Sequence, residues 1–303
     1  MASQRDIRGR IQSVRNIQKI TRAMEMVAAA RLRRAEQRIA ALRPYATALR
    51  KMTGQVVAAA QTMPNFPILE ERENVENVGI LLVTADRGLA GAFNSQIIRA
   101  GMRRRAELEG EGKTPVWYAS GRRGVSSLQF RGLEIAGGYT GFTERPAFSD
   151  ARTIAQDLTA AYVDGKVDKV EIYYNGYISP LTQEVRHETL LPIQQIEALT
   201  GEVEEGTPEH EGQSQHRRAL WIYEPEPEEI LQRLVPDYVE ISIYRALLES
   251  TASELGARMT AMRNASDNAA EIIEDLTLEA NRQRQAEITQ EIMEVVAGAE
   301  GLR

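Results

Sequence analysis

The chain has no cysteine among its 303 residues. Disulfides, thiolate metal sites, thiol nucleophiles and thiol redox switches are therefore excluded. Aromatic residues make up only 6%, which fits a large helical share better than a purely globular α/β protein. Long apolar runs are missing too. The longest run of Ile, Leu and Val alone is Ile80 to Val83, far short of the ~20 residues a bilayer-spanning helix needs, so direct membrane insertion is not expected. The chain has three histidines, His187, His210 and His216. They share no metal-ligand spacing with carboxylates, and no GxSxG nucleophile motif is present. Neither a metal nor a cofactor is expected.

Acid is scarce at the N-terminal end. Between Arg5 and Lys51 the only acidic residues are Asp6, Glu25 and Glu36, while Lys and Arg recur every few residues. The excess acid behind the net charge of -6 lies further on, at Glu70 to Glu76 and Glu202 to Glu229. A basic arm of this kind calls for an acidic partner, in the same chain or another molecule. Its Arg-rich, acid-poor start superficially resembles a transit peptide. The pattern continues helically for ~55 residues with no cleavage-like break, so a cytoplasmic location is expected.

What is present is helical periodicity at both ends. Ile7, Ile11, Val14, Ile17, Ile20, Met24, Val27, Ala35, Ile39 and Leu42 recur at spacings dominated by three and four. This predicts one helix over residues 1–60 with an apolar stripe, with Pro44 as a candidate kink. Within it, Ile20, Met24 and Val27 are expected to face a partner helix. Arg22, Arg31, Arg33 and Arg34 are expected to face outward. At the other end, over residues 227–303, Leu248, Ala252, Leu255, Met259, Met262, Ser266, Ala269, Ile273, Leu276, Ala280 and Gln283 alternate spacings of four and three. A sustained 3.5-residue repeat predicts a left-handed coiled coil. Its small residues demand close approach of the partner helix.

Between the ends the period changes. Residues 62–77 read as a linker. Strands are predicted at Asn77 to Thr84, Thr114 to Ser120, Glu134 to Tyr139, Asp168 to Ile178, Gln183 to Leu191 and Ala219 to Glu224. Helices are predicted at Phe93 to Glu109, Arg122 to Phe130 and Phe148 to Asp164. Alternating strands and helices over residues 76–222 indicate an α/β domain, with an acidic mobile loop at 200–217. The simplest assembly is an α/β domain inserted between two terminal helices that pair as a long antiparallel coiled coil.

Three functional readings follow. The loop TADRGLAGAFN (Thr84 to Asn94) lies between a strand and a helix, where phosphate loops sit. It matches neither GxGxxG nor GxxxxGK[ST] and has no Lys or Ser/Thr placed for phosphate or magnesium. A nucleotide-using enzyme centred on the insert stays an alternative. A coiled-coil nucleic-acid-binding protein is another, suggested by the basic arm, although Tyr45 is the only aromatic residue there. The third is a mechanical element whose basic face meets an acidic protein surface.

The third reading is supported by resemblance. IRGRIQSVRNIQKITRAMEMVAAARL (Ile7 to Leu32) resembles the N-terminal signature of the gamma subunit family of F-type ATP synthases. TADRGLAGAFN resembles that family's central motif. ALLESTASELGARMTAMRNASDNAAEIIEDL (Ala246 to Leu276) and NRQRQAEITQEIMEVVAGA (Asn281 to Ala299) are similar to its C-terminal signature. The resemblance spans essentially the whole chain. It implies a Rossmann-like insert that binds no nucleotide, at the base of an antiparallel coiled-coil rod. It further implies a non-catalytic rotor shaft. The expected partners are a ring of alpha and beta subunits, an epsilon subunit and the membrane c-ring, with no nucleic acid. The place it implies is the cytoplasmic face of a bacterial cell membrane, as a peripheral protein. Met24, Arg258, Arg284, Gln285, Thr289 and Glu291 match the family's rotor–stator coupling positions. For Met24, plain coiled-coil packing is an equal reading. The sequence departs from the pattern at Ile17, where a Thr is usual. It departs again at Glu279 to Asn281, and at the charged end Ala299 to Arg303.

Overall fold

The computed structural model describes residues 4–59, 67–69, 71–193 and 226–300. The predicted 200–217 loop, the predicted strand at Ala219 to Glu224, and His210 and His216 lie outside the described residues.

Helix α1 spans Gln4–Ala59 and runs through Pro44 without interruption. Helix α5 spans Pro227–Glu300 and runs through Pro236. At 1.5 Å per residue they are about 84 Å and 110 Å long. They pair antiparallel. Ile7 and Ile11 cluster with Ala280, the Gln18 amide reaches the Ser266 carbonyl at 3.4 Å, and Leu32 and Ala35 pack on Ala252 and Leu255. Ala28, Ala252 and Ala269 are buried on this seam. Small side chains let the two backbones approach closely and keep the rod thin.

The seam on α1 departs from the expected stripe. It passes through Ile7, Ile11, Thr21, Ala28, Leu32 and Ala35, all buried. Ile17, Ile20 and Val27 are 53%, 59% and 52% exposed, and Met24 is half-buried. The reason is geometric. The steps from Val14 to Ile17 and from Ile17 to Ile20 are two consecutive threes, and together they carry the stripe about 120° around the helix. The strict four–three alternation instead lands on Gln18, Thr21, Glu25 and Ala28. Polar residues at these seam positions are matched. Glu25 pairs with Arg263 of α5 at 2.9 Å. The exposed apolar stripe therefore faces away from the partner helix in this chain. Arg31 does not point outward to another molecule either. It bonds Glu144 of the α/β domain at 2.8 Å.

The inserted domain is a five-stranded sheet in the order β3-β2-β1-β4-β5. Its strands are β1 (Asn77–Val83), β2 (Thr114–Ser120), β3 (Ile135–Tyr139), β4 (Lys169–Tyr177) and β5 (Gln183–Leu191). β1 to β4 run parallel, and β5 pairs antiparallel with β4. The crossovers are α2 (Phe93–Gly110), α3 (Arg122–Phe130) and α4 (Phe148–Val163). One face of the sheet packs on α2 and α3 through Ile80, Leu82, Trp117, Ile97 and Leu128. The other packs on α4 and on the first half of α5 through Leu81, Ile172, Ile154, Leu158, Val235 and Ile243. Both faces of β1 are buried, which explains its unbroken apolar run. Helix α5 thus begins as a core helix of the domain and leaves it as half of the rod.

Candidate functional site

The chain leaves β1 for β2 and β3 on one side and returns to β4 on the other. In open α/β sheets that reversal opens a ligand crevice beyond the C-terminal strand ends. Here helix α5 lies across it. The Ser253 hydroxyl donates to the Asn175 carbonyl at the end of β4, at 3.1 Å. The Arg258 guanidinium donates to the Gly88 carbonyl in the loop after β1, at 3.2 Å. Gly91 in the same loop, at φ 53, stands close enough that an added Cβ would meet Ala261 at 4.0 Å. What remains beside Thr84 is a cavity of about 10 Å³ lined by Thr84, Ser250, Thr251 and Glu254, among others. That is room for about one water. The place where a nucleotide fold would hold phosphate is occupied by the chain's own helix.

The loop itself is organised by Asp86. Its carboxylate accepts from the backbone N–H groups of Arg122 (3.0 Å), Gly141 (2.9 Å) and Thr143 (3.2 Å), and from the Thr143 hydroxyl (3.0 Å). Burial works to raise its pKa, but these donors outweigh it and hold the carboxyl below its ordinary value. One side chain thereby ties together the three connections at the strand ends. That leaves none of those N–H groups for a phosphate.

Charged side chains bind the domain to both shaft helices at one level. Glu144 pairs with Arg31 of α1 and with Arg87 of the β1–α2 loop, each at 2.8 Å. The Tyr177 hydroxyl donates to Glu36 of α1 at 2.5 Å. On α5, Glu254 and Arg258 form an ion pair, with side chains 2% and 8% exposed. Burial pushes the Glu254 carboxyl up to about 7. Arg258 opposes the rise, Glu144 adds to it, Arg87 opposes it and Asp86 adds to it.

The six expected coupling residues fall into separate groups. Arg258 is buried against Glu254 and Gly88, inside the domain–shaft contact. Met24 sits half-buried beside the exposed stripe of Ile20 and Val27. Arg284, Gln285, Thr289 and Glu291 are exposed on α5, where it reaches and passes the level of Gln4. Among the described residues Arg284 has no ion-pair partner. The Thr289 hydroxyl bonds back to the Gln285 carbonyl at 2.8 Å. Four of the six share one exposed stretch of α5, while Arg258 and Met24 lie elsewhere.

Sequence reasoning missed Asp86, Glu144 and Glu254. Asp86 and Glu144 act through loop geometry that periodicity does not report. Glu254 had a signal. Thr251 to Gly256 are small or apolar apart from this one charge, and every one of them is buried. Such a run marks a helix enclosed on all sides.

Fold and site together define a coiled-coil shaft carrying a sealed α/β domain. A family model described as ATP synthase matches residues 3–302. The ATP synthase gamma chain of Moorella thermoacetica is 43% identical over 303 residues, covering 100% of both chains. That of Rubrobacter xylanophilus is 41% identical, covering 100% of this chain and 99% of its own. Among solved structures, a chain of the Euglena gracilis mitochondrial ATP synthase (OSCP/F1/c-ring, rotational state 3) aligns with TM-score 0.68 at 15% identity, covering 99% of this chain and 94% of that one. A chain of the Tetrahymena thermophila mitochondrial ATP synthase central stalk/c-ring aligns with TM-score 0.57 at 25% identity, covering 82% of this chain and 99% of that one. The chain belongs to the ATP synthase gamma chain family.

Proposed function

We propose that this chain is the non-catalytic rotor shaft of a bacterial ATP synthase. It turns inside a ring of alpha and beta subunits and carries torque from ion flow to the catalytic beta subunits. The observation that carries this reading is the second apolar stripe on α1. Ile17, Ile20 and Val27 are exposed on a helix whose seam is already filled. A thin rod with an unfilled apolar face suits a surrounding protein sleeve better than solvent. Because the rod is built of two helices of different sequence, each beta subunit meets a different surface as the rod turns. Such differential contact is what shifts a conformational equilibrium.

In this reading residues 1–60 and 227–303 form the shaft, and residues 76–222 form the foot that meets the epsilon subunit and the c-ring. Met24 lies where stripe and seam meet. Arg284, Gln285, Thr289 and Glu291 face the beta subunits near the tip. The arginine fork makes its contact directional. The protein sits peripherally at the cytoplasmic face of the cell membrane. No described helix is long and apolar enough to cross a membrane. The reading needs no cofactor in the chain. The filled crevice argues against a nucleotide-using insert, and a nucleic-acid-binding role has no structural feature to favour it.

The test is co-expression with alpha and beta subunits. A complex that hydrolyses ATP and contains this chain in stoichiometric amount is expected. An active ring that excludes the chain would overturn the reading.

A further inference from the structure

Of the residues matched to coupling positions, Arg258 is the one that does not reach the surface. Its guanidinium spans two acceptors, the Glu254 carboxylate on its own helix and the Gly88 carbonyl on the α/β domain. Charges from three segments surround Glu254. Arg258 comes from α5, Asp86 and Arg87 from the β1–α2 loop, and Glu144 from the segment before α4. Glu144 in turn holds Arg31 of α1. Three carboxylates face three guanidinium groups. Neither oxygen of Glu254 receives a well-directed hydrogen bond among the described residues. The carboxylate therefore depends on the surrounding charges rather than on fixed N–H donors. An ion cluster of this kind is sensitive to geometry, because moving any one segment leaves a buried charge unmatched.

We propose that Glu254, Arg258, Arg87 and Glu144 form a buried charge joint that sets the angle of the α/β domain on the shaft, so that Arg258 and Glu254 are positioning residues for coupling and not contacts to the stator. This rests on the rotor reading above. A shaft whose foot is free to swivel dissipates torque between the ion-driven end and the catalytic end. The joint reaches both helices at one level, through Arg31 on α1 and Arg258 on α5, and so resists twist about the rod axis. One terminal nitrogen of Arg258 makes both contacts, and lysine in its place keeps the charge but not the reach and the planar, weakly hydrated guanidinium.

The chain's lack of cysteine allows a direct test in the assembled holoenzyme, reconstituted in proteoliposomes. Positions 91 and 261 stand about 4 Å apart at Cβ, within disulfide range. The readout is ion-driven ATP synthesis relative to ATP hydrolysis. Arg258→Ala is expected to lower that ratio roughly tenfold, and Arg258→Lys to lower it partly. Adding Gly91→Cys with Ala261→Cys and oxidising is expected to restore the ratio in Arg258→Ala, and reduction is expected to lose it again. Restoration supports the joint, because the disulfide replaces an angle and not a stator contact. A disulfide that forms without restoring coupling would overturn it, as would failure of the pair to cross-link with Arg258 intact. If the unaltered chain does not enter an ATPase complex at all, it is the rotor reading that falls, and that outcome is distinguishable from both.

Discussion

The carbonyl oxygen of Pro180, at the tip of the β4–β5 hairpin, lies 2.8 Å from where a Cβ on Gly256 of α5 would stand. The hairpin rests directly on the shaft helix at that point, and Tyr177 at its base holds Glu36 of the other shaft helix. Glycine in a helix interior ordinarily costs about 1 kcal/mol against alanine. Here the backbone contact reverses that preference. Gly256→Ala is expected to destabilise the chain by about 1–3 kcal/mol, measured by denaturant unfolding. A stabilised variant would show that the hairpin does not bear on the shaft.

Glu254 makes stability depend on pH. Its carboxyl is raised from the ordinary 4.5 to about 7 by burial. Between those values the folded chain binds a proton that the unfolded chain releases, so this contribution to stability is lost as pH rises through the window. The loss amounts to about 3 kcal/mol at most. Relative to Glu254→Gln, the unaltered chain should lose stability from pH 4.5 to 7 and run parallel above that. Two curves that are parallel throughout would place Glu254 in a wetter setting than the one described.

The exposed stripe separates stability from assembly. Ile20→Ser with Val27→Ser removes apolar surface already in water in the free chain, and should change its unfolding free energy by no more than about 0.5 kcal/mol per site. The same pair should weaken capture by the alpha–beta ring at least about tenfold, since burying one such side chain contributes ~2 kcal/mol. Equal loss of stability and assembly would mean that the stripe packs within the chain.

Arg284→Ala with Gln285→Ala tests the tip. Both side chains are exposed and, among the described residues, neither is held by an ion pair, so the complex should still assemble. ATP synthesis per ion translocated should fall. Unchanged torque and synthesis would remove these residues from the coupling surface.

Much of the architecture could be read directly from pattern. The α5 seam from Leu248 to Ala280 follows a strict heptad because its residues do little else than pack. The apolar run of β1, buried on both faces, reads as a central strand for the same reason. The stripe on α1 misled because two sets of apolar residues share one helix. The set from Ile17 to Val27 is the more hydrophobic, so it masks the seam of Gln18, Thr21, Glu25 and Ala28. Polar seam residues become legible only once their partners on α5, Ser266 and Arg263, are in place. The joint was harder still. Asp86, Glu144 and Glu254 are far apart in sequence, and only the topology at the β1–β4 reversal brings them together. Arg258 matches a coupling position by sequence, but sequence alone does not distinguish an arginine buried at a domain contact from one on the surface.

The central claim is that this chain rotates as a shaft, and single-molecule rotation tests it most directly. Phe130 is 90% exposed on the α/β domain, and the chain has no cysteine. Phe130→Cys therefore gives this chain a single thiol for a probe, in a complex with cysteine-free alpha and beta subunits anchored to a surface. On adding ATP, the account predicts sustained rotation of the probe in one direction, slowed by Arg284→Ala with Gln285→Ala. An ATP-hydrolysing complex whose probe stays fixed, or wanders without direction, would contradict it.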